Sequence, residues 1–84
     1  MRRRPDWWQW DIAVSWHVLN RMEERGFTFS DIMYMLNRTT RVVDDTVPGR
    51  FRAFTRWRNS PWIVILEPDP ETRTVVIVTA FPTH

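Results

Sequence analysis

The sequence predicts a small α+β domain with two N-terminal helices packed on one face of a four-stranded antiparallel sheet, and three features predict it. Apolar residues recur at helical spacing through the first half, the period changes to two from Arg41 onward, and the breaks between the later segments are short. A chain of 84 residues holds one such unit and one core.

Residues 1–10 form a basic, tryptophan-rich arm without a clear period, and residues 11–84 make up the compact α+β domain. Met1-Arg2-Arg3-Arg4 has the charge of a secretory leader, but Pro5-Asp6-Trp7-Trp8-Gln9-Trp10-Asp11 follows where an apolar run is required, so secretion by that route is not expected. No stretch approaches the roughly 18 apolar residues of a membrane helix. Cysteine is absent, which removes disulfides, thiolate metal sites and cysteine nucleophiles and fits a reducing cytoplasm.

The first helix lies between Ser15 and Arg25, where Trp16, Leu19 and Met22 supply an apolar stripe and His17, Arg21 and Glu24 a neighbouring one. Ser15 caps its start by accepting from a free backbone N–H, and Gly26 ends it in the left-handed conformation that side chains disfavour. A second helix follows at once. Thr28 and Asp31 have the spacing of a capping box, and Phe29, Ile32, Met33 and Leu36 give its stripe as far as Asn37.

Strands are expected at 41–46, 50–58, 62–67 and 73–81, broken by Pro48-Gly49, Asn59-Ser60-Pro61 and Pro68-Asp69-Pro70-Glu71. Such short links imply an antiparallel meander. Alternation from Arg50 puts Phe51, Ala53, Thr55 and Trp57 on one face and Arg50, Arg52, Phe54, Arg56 and Arg58 on the other. Thr79, by the same rule, shares a face with Val75 and Ile77.

Net charge is +2, yet all twelve basic residues are arginine, each a planar fork suited to phosphate. Genomic base composition also produces such a set. Arginines clustered on one strand face repel each other unless an anion or acidic neighbours compensate, and Glu67, Asp44 and Asp45 are the acidic candidates. RNA suits the face: Phe54 stacks an unpaired base while Arg56 and Arg58 hold phosphates, and Arg21 on the first helix and His84 at the tail complete the RNA-binding set, with His84 as a second proton donor if the tail folds back. His17 offers an imidazole, the side chain whose charge changes near neutrality, either as general acid or base in metal-independent phosphodiester cleavage or as an ordinary helix packing residue. Thr79 either holds a phosphate oxygen or serves its strand by β-branched shape alone. Two distant histidines make no metal site, no Gly-rich phosphate loop is present, and no cofactor is implied.

The run His17-Val18-Leu19-Asn20-Arg21-Met22-Glu23-Glu24-Arg25-Gly26 fits the pattern H-x-x-x-R-M-x-E-R-G. With Gly49-Arg50 and Val78-Thr79-Ala80-Phe81-Pro82 it resembles a small bacterial family over about residues 15–82. That family is similar to the ribonuclease toxins of the barnase, EndoU, colicin and RelE superfamily, including the BrnT-like toxins. The resemblance implies a RelE/BrnT-like fold and a toxin-type endoribonuclease acting through 2′-OH attack. It implies His17, Arg50, Arg52 and Thr79 as catalytic residues, ribosome-bound RNA as a possible substrate, and a cognate antitoxin or immunity protein as partner. Two other roles use the same residues differently. One is a non-catalytic module binding nucleic acid or an acidic protein, and the other a homodimer formed through Trp7, Trp8 and Trp10.

Overall fold

A computed structural model of the chain describes residues 4–83. A single 3-10 turn, Asp6–Gln9, leads into strand β1, Asp11–Val14, then helices α1, Trp16–Arg25, and α2, Phe29–Asn37. Strands β2, Arg41–Asp44, β3, Phe51–Trp57, β4, Ser60–Asp69, and β5, Thr74–Pro82, complete the chain. The five strands form one sheet in the order β1-β5-β4-β3-β2. Its β2 to β5 portion is the expected antiparallel meander.

The sheet is mixed rather than purely antiparallel, because β1 adds a fifth strand parallel to β5, with Ile12 opposite Val75 and Val14 opposite Ile77. Four residues are too few to show a period, and their partners lie some sixty positions away, so nothing local announces the strand. The chain returns from β1 to its parallel partner β5 through two helices and three strands, the kind of long crossover that parallel pairing requires.

Both helices lie on one face, over Ala53, Trp57, Trp62, Val64, Leu66, Val75, Ile77 and Ala80, which are buried with Val18, Phe27, Ile32, Met35 and Leu36. The Thr55 hydroxyl donates to the Met35 carbonyl and ties β3 to α2. Phe27, Trp57 and Trp62 meet edge to face at centroid separations of 5.6, 5.7 and 5.3 Å. Such pairs add about 0.5–1.5 kcal/mol each beyond the area they bury.

The capping chemistry matches the sequence. Ser15 Oγ accepts from Val18 N, Gly26 takes φ 73° at the end of α1, and Thr28 with Asp31 forms a complete capping box. The Thr28 backbone N–H, helped by the Thr28 hydroxyl, the Trp57 side chain and the Arg58 charge, holds the Asp31 carboxylate below the usual carboxylate range.

The apolar stripe of α1 is rotated from the expected one. Val18 is its fully buried residue, whereas Trp16 is 82% and Leu19 37% exposed. On α2, Met35 joins Ile32 and Leu36 in the core and Phe29 is exposed. A ten-residue helix with Trp16 and Leu19 on one side and Val18 and Met22 on another offers two apolar stripes, and contact with β5 selects the second.

The arm is folded onto the body. Trp7, Trp8 and Trp10 pack against the core, and Trp7 meets Phe51 at 5.0 Å between centroids. Arg4 donates to the Thr39 carbonyl and lies over Trp8, while Arg73 lies over Trp10. Two arginines therefore clip the segment at both ends by cation–π contact.

Ser15 performs three bonds at once: its N–H donates to Ile77 O at 3.1 Å, its Oγ donates to Val78 O at 2.8 Å, and the same oxygen caps α1. Ser15→Ala is expected to lower stability by about 1–2 kcal/mol, the range for a lost N-cap, as read by urea denaturation. A loss under a few tenths would show that neither side-chain bond counts.

Candidate nucleic-acid interface

The face of the sheet opposite the helices is left uncovered among the described residues, and strand register decides what it displays. Residues paired across neighbouring strands point the same way. One row runs Val43, Arg52, Ile65, Thr79, and the next runs Arg41, Phe54, Ile63, Phe81. Arg50 sits beyond Arg52 toward Glu67, and Arg56 lies opposite Pro61. Ile63 and Ile65 are only 7% and 6% exposed although no helix covers them. The aromatic and arginine stems around them exclude water from the middle of this face.

Arg50, Arg52, Phe54 and Arg56 share this face, as the alternation predicts. Arg58 does not. It occupies the β3–β4 turn with φ 51°, beside Asn59 at φ 63°, and its guanidinium lies over Trp57, a helix-side residue. A two-residue turn with both central residues left-handed ends the alternation at Trp57. Its charge acts on Asp31 instead, at the start of α2.

Thr79 corrects the expectation in the other direction. Ile65 pairs with Thr79 but Leu66 pairs with Ile77, so Val78 is an extra residue in β5. This bulge shifts the alternation by one, and Thr79 lands on the arginine face rather than beside Val75 and Ile77. Thr79 and Arg52 are two strands apart, about 10 Å between backbones. The Val78 carbonyl at the bulge is the acceptor of the Ser15 hydroxyl, so the first turn of α1 is fastened there. His17, two residues on, is exposed in the helical layer and does not share the arginine face.

Acidic neighbours occupy two of the arginines. Arg50 Nε donates to Glu67 Oε1 at 2.7 Å and Arg52 Nε to Asp45 Oδ1 at 2.6 Å. The Arg52 bond holds the Asp45 carboxyl below its ordinary range, against the cost of its burial. Asp44 pairs with neither; it faces Phe51 across the ladder. The other cations are placed differently. Arg56 Nη2 donates to the Asn59 carbonyl at 3.1 Å, and the Arg41 guanidinium stacks 4.5 Å above the Phe54 ring.

Arg41 and Phe81 belong to this surface and were not among the expected site residues. Arg41 opens a strand whose register against β3 the sequence leaves unstated, and Phe81 changes face with Thr79 at the bulge. Arg21 stands one turn after His17 on α1, half-buried in the helical layer and away from the open face. His84 lies outside the described residues. Among the described residues no group of three or more His, Asp or Glu side chains is placed to hold a metal ion, and no helix is long and apolar enough to cross a membrane.

One family model, a domain of unknown function designated DUF4258, matches residues 14–82. No curated protein and no solved structure matches the chain.

Proposed function

Because the chain belongs to the DUF4258 family, whose description assigns no activity, we propose its role from its own residues: it binds single-stranded RNA on the uncovered sheet face and cuts it there as a metal-independent, toxin-type endoribonuclease. One observation carries the binding. Arg41, Arg50, Arg52 and Arg56 stand with Phe54 and Phe81 on one side of the sheet, unobstructed by a helix. Cations that neutralise phosphates release counterions, and aromatic rings stack bases of any sequence. Arg41 over Phe54 already forms a cation–π platform on which a third planar group can lie.

The cleavage part rests on the bulge. It brings the Thr79 hydroxyl onto the arginine face, and the Ser15–Val78 bond ties the first turn of α1, which carries His17 on the helix side of the sheet, to the same bulge. The resemblance, read from the sequence, of the small H-x-x-x-R-M-x-E-R-G family to the RelE and BrnT-like ribonucleases favours the same reading. A cognate antitoxin or immunity protein that covers this face would restrain the activity in the cell. The Trp7, Trp8 and Trp10 rings bury much of their surface within the chain, which favours an intramolecular role over a homodimer contact.

A second reading has its own support. Glu67 and Asp45 already engage Arg50 and Arg52, so the face serves binding without cleavage if those ion pairs persist in the complex. Fluorescence anisotropy with a short unstructured RNA tests the shared premise. Arg41→Ala is expected to lower the salt slope of binding by about 1, and Phe54→Ala to weaken affinity by about 5- to 150-fold through lost stacking. Salt-independent binding, or affinity indifferent to both changes, would remove RNA from this face.

A further inference from the structure

On the helix side of the sheet, away from the arginine face, a cavity of about 270 Å³ lies between the N-terminal arm, α2 and the sheet. Trp7, Trp8 and Trp10 form one wall and Leu66 the floor, with no charged side chain in the lining. Gln9 and Asn37 stand at its margin. Both are exposed, and neither side-chain amide makes a hydrogen bond among the described residues.

We propose that this cavity binds a neutral, planar heteroaromatic ring of nucleobase size. The volume sits just under the roughly 300–1,000 Å³ of ordinary small-molecule sites, which limits the occupant to a single ring system. Indole rings offer flat apolar faces, and flat ligands gain most from them. An anionic or cationic ring would lose its hydration without a countercharge in return. The two free amides each carry a donor and an acceptor, the complement of a lactam or amidine edge. The wall is built rather than incidental. Arg4 over Trp8, Arg73 over Trp10 and Trp7 against Phe51 fix the three indoles before any ligand arrives, and preorganisation lowers the ordering cost of binding.

Two sources supply such a ring, a free base or an unpaired base in an RNA strand. The cavity faces away from Arg52 and Phe54, so its occupancy does not depend on the RNA reading above.

The test is a titration of ¹⁵N-labelled full-length protein followed through the indole N–H resonances. The probes are adenine, an oligoadenylate strand, cyclohexanecarboxamide and benzoate, taken into the millimolar range that ligands of so few atoms need. Adenine is expected to shift the Trp7, Trp8 and Trp10 signals saturably and to leave Trp16 in place. A matching shift with the oligoadenylate identifies the source as a strand, and its absence identifies a free base. Gln9→Leu combined with Asn37→Leu, both at exposed positions, keeps the fold and is expected to weaken adenine about tenfold, the loss of a hydrogen bond or two. No saturable shift with adenine, equal response to the non-planar amide or the anion, or unchanged affinity in the double variant would each overturn the proposal.

Discussion

Replacing His17 with alanine is expected to slow RNA cleavage in EDTA by about 10²–10⁴-fold, the contribution of one general acid or base. In the proposed reaction the 2′-oxygen attacks phosphorus as its proton passes to a base, and the 5′-oxygen leaves with a proton from an acid, giving a 2′,3′-cyclic phosphate. His17 is an exposed imidazole in the first turn of α1, on the helix side of the sheet, and the bond from Ser15 to Val78 ties that turn to the bulge before Thr79. Thr79 would hold a non-bridging phosphate oxygen and Arg52 would oppose the developing charge. RNA affinity is expected to stay within about a factor of two, since the arginines of the sheet face supply the counterion release. Equal cleavage by wild type and His17→Ala would take the histidine out of the mechanism. Tight binding with no cleavage product from either would leave the binding reading alone, with Arg50 and Arg52 kept in their ion pairs.

Trp62→Ala is expected to cost about 3–5 kcal/mol in stability, while Trp16→Ala stays within about 0.5 kcal/mol. Trp62 is 5% exposed and presents its ring to both Phe27 and Trp57, so truncation opens a cavity and removes two edge contacts of the aromatic cluster. A domain of this size holds on the order of 4–12 kcal/mol in total, so the Trp62 variant is expected to be partly unfolded at 37 °C. Trp16, at 82% exposed, has almost nothing to lose. The pair separates the observed packing of α1 from the stripe that its spacing suggests, in which Trp16 belongs to the core. Chemical denaturation of both variants decides it. Comparable losses would place α1 in the orientation that its spacing suggests, with Trp16 in the core and Val18 at the surface.

Much of the fold was legible because it is encoded between near neighbours. Ser15, Gly26 and the Thr28–Asp31 box mark helix ends by bonds spanning three or four residues, and the structure contains each of them. The change of period at Arg41 locates the meander, and alternation correctly groups Arg50, Arg52, Phe54 and Arg56. The acidic partners Glu67 and Asp45 were also visible as candidates, although which one meets which arginine was not.

The sequence alone thus determined the class of fold, the helix caps, the meander and an arginine-bearing strand face, since each depends on dihedral preference or on a period counted along the chain. Tertiary structure decided the parallel β1 edge, the stripe that α1 buries, the turn that withdraws Arg58 and the bulge that delivers Thr79 and Phe81. Each of those turns on register between segments far apart in sequence. A shift of one residue there reverses every side chain beyond it, and no local signal records it.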